Sequence, residues 1–87
     1  MNFGEAITQL KLGKKLARKG WNGKGMFIYY VPSAKYKAMT DAAKSIADEN
    51  GMVQYNPYMA IKNVDGTIST WVASINDTLS EDWIIVE

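Results

Sequence analysis

The chain contains no histidine and no cysteine. Together these absences exclude thiolate and imidazole metal sites, Ser-His-Asp and Cys-His nucleophile systems, iron-sulfur ligation and disulfide staples. Proline is scarce, with only Pro32 and Pro57 to interrupt regular structure. No apolar stretch approaches the ~18 residues of a membrane-spanning helix, and no apolar run follows basic residues near the start as it does in a signal peptide. The expectation is a soluble intracellular protein. Paired catalytic carboxylates are also poorly served: Glu81 and Asp82 are adjacent, so their side chains diverge in either a strand or a helix. A non-enzymatic role with no cofactor and no metal is expected.

Within these limits the composition is that of a folded protein. Of 87 residues, 47% are hydrophobic and 22% charged, which argues against disorder. The length allows one domain, spanning 1–87. A monomer of this size hides only roughly 64% of the surface its unfolded chain exposes, so burial against another copy would add stability. The net charge of +1 conceals a division. Residues 1–40 carry eight Lys/Arg against Glu5, a net +7, whereas residues 41–87 carry Lys44 and Lys62 against eight acids, a net −6. Such a split serves basic and acidic elements lying side by side, complementary protomer surfaces, or a basic pocket for an anion.

Local patterns predict the elements. Asn2 and Glu5 form a capping box, Phe3, Ile7 and Leu10 share one helical face, and Gly13 suits the left-handed stop of a helix over 3–12. Leu12 and Leu16 are candidates to extend that buried surface. Glycines at 20, 23 and 25 predict a shaped loop, and the run at 26–31 ending at Pro32 predicts a buried strand. Tyr36, Met39, Ala43 and Ile46 follow helical spacing, predicting a helix within 33–50, more firmly over 40–50 with Thr40 as a cap. Asn56-Pro57 marks a turn. Strands at 58–63 and 67–73 are joined at Asp65-Gly66, read as a turn with positive φ at both positions. A polar stretch with a helical turn capped by Asp77 or Thr78 precedes a last strand at 83–86. The pattern predicts an α+β fold: a small antiparallel β-sheet with an N-terminal helix and a central helix on one side, assembling as a homo-oligomer.

Two segments carry chemistry. In the loop 18–25, Arg18 and Lys24 can neutralise phosphate, glycines allow close backbone approach, Asn22 can hydrogen-bond, and Trp21 can stack on a base or pack as core. The spacing matches neither a P-loop nor a dinucleotide fingerprint. Trp71, Ser74, Asn76, Asp77 and Thr78 form a second polar-aromatic group, suited to ribose and base hydrogen bonds or to turn and cap duties. Nucleic-acid binding is the weaker alternative, because the acidic second half lacks the basic footprint that phosphate neutralisation demands.

The blocks Asn2-Phe3-Gly4-Glu5-Ala6, Gly13-Lys14-Lys15, Ala17 to Met26, Tyr55-Asn56-Pro57-Tyr58, Asp65-Gly66, Trp71-Val72-Ala73-Ser74 and Ser80-Glu81-Asp82-Trp83 resemble the second type of Thoeris anti-defence protein. That resemblance implies a small phage or prophage protein acting in the cytoplasm of the infected bacterial host. It implies a homotetramer that sequesters glycocyclic ADP-ribose, the immune signal made by a TIR-domain sensor, without cleaving it. Cyclic dinucleotides are a further ligand class implied for some relatives. The alternative is a small nucleic-acid-binding or phage regulatory module. The candidate ligand contacts are Arg18, Trp21, Asn22, Lys24, Trp71, Ser74, Asn76, Asp77 and Thr78. One departure is Ile75, where the family pattern implies a polar residue after Trp-x-Ala-Ser.

Overall fold

The computed structural model describes residues 1–21 and 25–87. Helix α1 (Phe3–Lys11) starts with the expected capping box: Glu5 N–H donates to Asn2 Oδ1 at 2.8 Å, and Asn2 N–H donates to Glu5 Oε1 at 3.0 Å. It stops at Gly13, whose φ of 91° lies in the left-handed region that a side chain would resist. Strands β1 (Lys15–Arg18), β2 (Phe27–Val31), β5 (Tyr58–Lys62), β6 (Ile68–Trp71) and β7 (Trp83–Val86) form one antiparallel sheet in the order β6-β5-β2-β1-β7. The remaining strands, β3 (Ala34–Lys37) and β4 (Met52–Tyr55), pair separately and are joined through the one-turn helix α2 (Asp41–Lys44). Helix α3 (Ile75–Leu79) links β6 to β7.

The α+β class and the antiparallel pairing agree with the sequence reading, and several details differ. Residues 15–18 form a strand that the sequence reading does not anticipate; Leu16 is buried as expected, opposite Ile28 and Ile85 across the sheet, whereas Leu12 is exposed and does not extend the buried surface. The expected central helix shrinks to Asp41–Lys44, capped by Thr40 as anticipated, with strand β3 at Ala34–Lys37 where helix was expected. It belongs to the β3–β4 arm. The turn at Asp65-Gly66 has positive φ at Gly66 alone. Gly66 N–H donates to Asn63 O at 3.0 Å and Asn63 N–H to Thr67 O at 2.8 Å, so the loop is a standard turn closed by a glycine bulge. Ser74, rather than Asp77 or Thr78, caps α3, because Ser74 and Asp77 form a second capping box.

The core lies between α1 and one face of the larger sheet. Ala6 and Leu10 pack on Leu16, Ile28 and Trp83, with Phe3, Trp21, Tyr30, Met59, Ile61 and Trp71 around them. Each large side chain buried here contributes about 1.5–3 kcal/mol.

The register exposes an arrangement invisible in either sheet alone. Val31 pairs with Tyr58 and Ala34 with Tyr55, so β2-β3 and β4-β5 are one long antiparallel ribbon in constant register. Pro32 and Pro57 fall opposite each other in it. Neither has an N–H to give to a ladder, so the ribbon breaks there and the segment 34–55 projects as an arm.

Candidate ligand site

Trp83 is the pivot of the site. It is fully buried, its indole N–H donates to Asp77 O at 3.0 Å, and three rings surround it. Trp21 and Trp71 meet it edge-on at 5.5 and 6.0 Å between centroids, and Phe3 lies at 5.4 Å. Edge-to-face pairs of this kind add about 0.5–1.5 kcal/mol beyond simple burial. Trp21 and Trp71 are only half-buried, so they both support the core and present surface to solvent.

An ion-pair cluster flanks the rings. Arg18 Nη1 donates to Asp77 Oδ1 at 2.9 Å and Arg18 Nε to Asp82 Oδ1 at 3.0 Å, tying β1 to α3 and to the start of β7. The pairing raises the Arg18 pKa, through Asp82 first and Asp77 second. Asp82 is held below the usual carboxylate range chiefly by the Arg18 hydrogen bond. At Asp77 burial pushes upward, but the Ser74 amide, the Arg18 guanidinium and the Ser74 hydroxyl together outweigh it and the net shift is downward.

A pH dependence follows. Folding favours the ionised form of both carboxylates, so their contribution is complete above the unfolded carboxylate pKa of about 4 and is lost as pH falls through the lower folded values. Asp48, anchored by the Met52 and Asn50 amides, and Asp65, anchored by Thr67, add to the same trend. With no histidine in the chain, the thermal midpoint should change little between about pH 5.5 and 7.5 and fall below about pH 4. Thermal scans across that range check it, and Arg18→Met should shallow the acid limb.

The structure brings most of the sequence-derived candidates together. Trp21 and Trp71 meet Trp83 edge-on, Asp77 accepts from the Trp83 indole and pairs with Arg18, and Ser74, Asn76 and Thr78 stand with Asp77 on α3 and its cap. Asn22 and Lys24 lie outside the described residues. Several of the polar groups already have local partners. Ser74 Oγ donates to Asp77 Oδ2 and accepts from Asp77 N–H, and Thr78 Oγ1 donates to Ser74 O at 2.9 Å. Asn76 is exposed, and its side-chain amide has no hydrogen-bond partner among the described residues. Ile75 opens α3 and is exposed beside it.

Sequence reasoning missed Trp83, Asp82 and Phe3 as members of this cluster. The only signal was an aromatic residue at each end of the chain, and nothing local says that the ends meet. It also missed an apolar hollow of about 130 Å³ between α1 and the root of the arm, lined by Ile7, Leu10 and Lys11 on one side and Tyr30, Pro57, Tyr58 and Met59 on the other. Among the described residues no three His, Cys, Asp or Glu side chains gather as a metal site, and no helix is long and apolar enough to cross a membrane.

Fold and site define a small α+β protein built on an antiparallel sheet, with a tryptophan cluster flanked by an Arg18–Asp77–Asp82 ion-pair group. The chain belongs to the Thoeris anti-defense 2-like domain family, which matches residues 1–86. It is similar to a protein of Bacillus phage SP01 called Thoeris anti-defense 2, at 37% identity over 86 residues, covering 99% of this chain and 94% of the relative. The family is one of anti-defence proteins directed at Thoeris.

Proposed function

We propose that this protein is a phage anti-defence sponge that binds glycocyclic ADP-ribose in the cytoplasm of the infected host and holds it intact, blocking Thoeris signalling. The observation that supports this reading is that the half-buried Trp21 and Trp71 both meet Trp83 while Arg18 pairs with Asp77, which draws the segments 18–21 and 71–77 together. In this reading Trp21 or Trp71 stacks on the adenine. Arg18, which uses two of its five donors on Asp77 and Asp82 among the described residues, contributes to pyrophosphate binding together with Lys24. Asn76 leads the hydrogen-bonding group, with Asn22, Ser74, Asp77 and Thr78 in support.

Sequestration needs affinity rather than turnover. Nanomolar binding corresponds to about −12 kcal/mol and requires a largely enclosed ligand. A single small chain offers little depth, so the pocket is shared between protomers of a homotetramer, and cyclic dinucleotides are a further ligand class for the same assembly.

Equilibrium dialysis against glycocyclic ADP-ribose tests the reading. The protein should deplete free ligand in a fixed ratio and release it chemically unchanged on heating. Conversion to a new product would make it an enzyme, and an undepleted ligand pool would end the proposal. Retention on DNA or RNA that falls steeply with salt would instead favour nucleic-acid binding.

A further inference from the structure

Asp82 makes more contacts than an ion pair needs. Its Oδ1 accepts from Arg18 Nε at 3.0 Å, and its main-chain carbonyl accepts from Lys19 N–H at 3.1 Å. A Cβ on Gly20 would stand 3.8 Å from Asp82 Oδ2, so the second carboxylate oxygen lies against the backbone of the turn that follows β1. The Gly20 amide also helps to keep the Asp82 carboxyl ionised. One residue thus meets Arg18, Lys19 and Gly20 in succession. Trp21 comes next, its N–H donating to Arg18 O at 3.2 Å to close the turn. The far described end of the same glycine-rich segment is also held by a side chain from another element, since Lys62 Nζ donates to Gly25 O at 3.0 Å.

Folding stability does not account for the Asp82 carboxylate. The Arg18 and Asp82 side chains are 23% and 34% exposed, and an ion pair so open to water adds little to folding. The β1–β7 ladder, from Lys15 opposite Val86 to Arg18 opposite Trp83, is made by main-chain groups without it. What the carboxylate fixes is direction. Asp82 on Nε and Asp77 on Nη1 grip a planar, rigid guanidinium at two of its nitrogens, which sets both its plane and its rotation. Arg18 Nη2 has no partner among the described residues, so this grip leaves one edge of the guanidinium for an anion. The two acids differ in what else they hold. Asp77 belongs to the capping box of α3, whereas Asp82 lies against the turn that leads to Trp21. Asp82 is therefore the link between the cation and the indole.

We propose that Asp82 is a positioning residue of the ligand site, orienting the Arg18 guanidinium and the turn that carries Trp21 without itself touching the ligand. This rests on the sequestration reading. An anionic pyrophosphate is repelled by a nearby carboxylate, so charge alone predicts that Asp82→Asn tightens binding. Positioning predicts the reverse. An amide has one acceptor oxygen where the carboxylate has two, so it cannot serve Arg18 and the Gly20 side of the turn together.

Titration calorimetry of the intact protein with glycocyclic ADP-ribose separates the two. Asp82→Asn should bind about 5-fold or more weakly than wild type, within the range of coupling inside one hydrogen-bond network, while its thermal midpoint at neutral pH stays close to that of wild type. The double variant Arg18→Met/Asp82→Asn should lose less than the product of the two single losses, because Asp82 works through Arg18. Equal or tighter binding by folded Asp82→Asn, or a double variant that loses the full product, overturns the inference. Should Asp82→Asn fail to fold, Asp82→Glu takes its place: it keeps the charge and displaces the carboxylate by one methylene, so weaker binding is again expected and wild-type affinity overturns the inference. A wild type that leaves the ligand free ends the sequestration reading and this inference together, whereas a wild type that binds, with an Asp82 that can be replaced at no loss, ends this inference alone.

Discussion

Trp83→Ala is expected to destabilise the protein by about 3–5 kcal/mol, as removal of a fully buried indole ordinarily does. A domain of this length has a total stability of only about 4–13 kcal/mol, so the variant sits at the edge of unfolding. Its thermal midpoint should drop by at least about 12 °C. Three effects act together. The substitution opens a cavity beneath α1, strips Phe3, Trp21 and Trp71 of their shared partner, and leaves the Asp77 carbonyl without its indole donor. Trp83→Phe keeps a ring in place and gives up the hydrogen bond, so its loss should be clearly smaller. Calorimetry of both variants checks the ranking. Equal midpoints for wild type and Trp83→Ala would mean that the aromatic cluster is not what organises the body.

Trp21→Ala should act on ligand binding more than on folding. Trp21 is half-buried and meets Trp83 by an edge, so alanine there loses part of a contact while the core beneath α1 stays filled. If the indole stacks on the adenine, its loss is worth about 1–3 kcal/mol, a weakening of roughly 5- to 150-fold. Titration calorimetry with glycocyclic ADP-ribose, run beside circular dichroism, separates the two roles. A folded variant with wild-type affinity would remove Trp21 from the pocket and leave Trp71 as the stacking candidate.

What the sequence revealed follows from how local each signal is. The α1 cap, the stop at Gly13, the 58–71 hairpin and the terminal strand are written in residues a few positions apart, and the structure has them all. Strand β1 escaped notice because four residues give only one alternation, and Leu12 to Leu16 has the spacing of a helical turn. The arm misled for a related reason: Tyr36 and Met39 sit at helical spacing with Ala43 and Ile46, but Tyr36 answers to Val53 across a ladder. Pairing of that kind cannot be read from one strand. The site was legible as two segments, since Arg18-to-Trp21 and Trp71-to-Thr78 are unusual locally. Its centre was not, because Trp83 meets Phe3 only after the two ends of the chain close on each other. Asp77 reads from the sequence as either a cap or a ligand contact; in the structure it is the N3 residue of a capping box and also pairs with Arg18.

The facing prolines bear on how this protein can vary over time. Ser33 and Asn56 stand beside them, and Ser33 Oγ bonds to Tyr55 O across the break, so two consecutive rungs are held by a side chain in place of a regular ladder. Slack at those rungs means that residues gained or lost in the arm need not propagate a register error into β2 and β5, which carry the core. A change of length beyond the prolines can therefore be absorbed within the arm while the tryptophan cluster keeps its geometry.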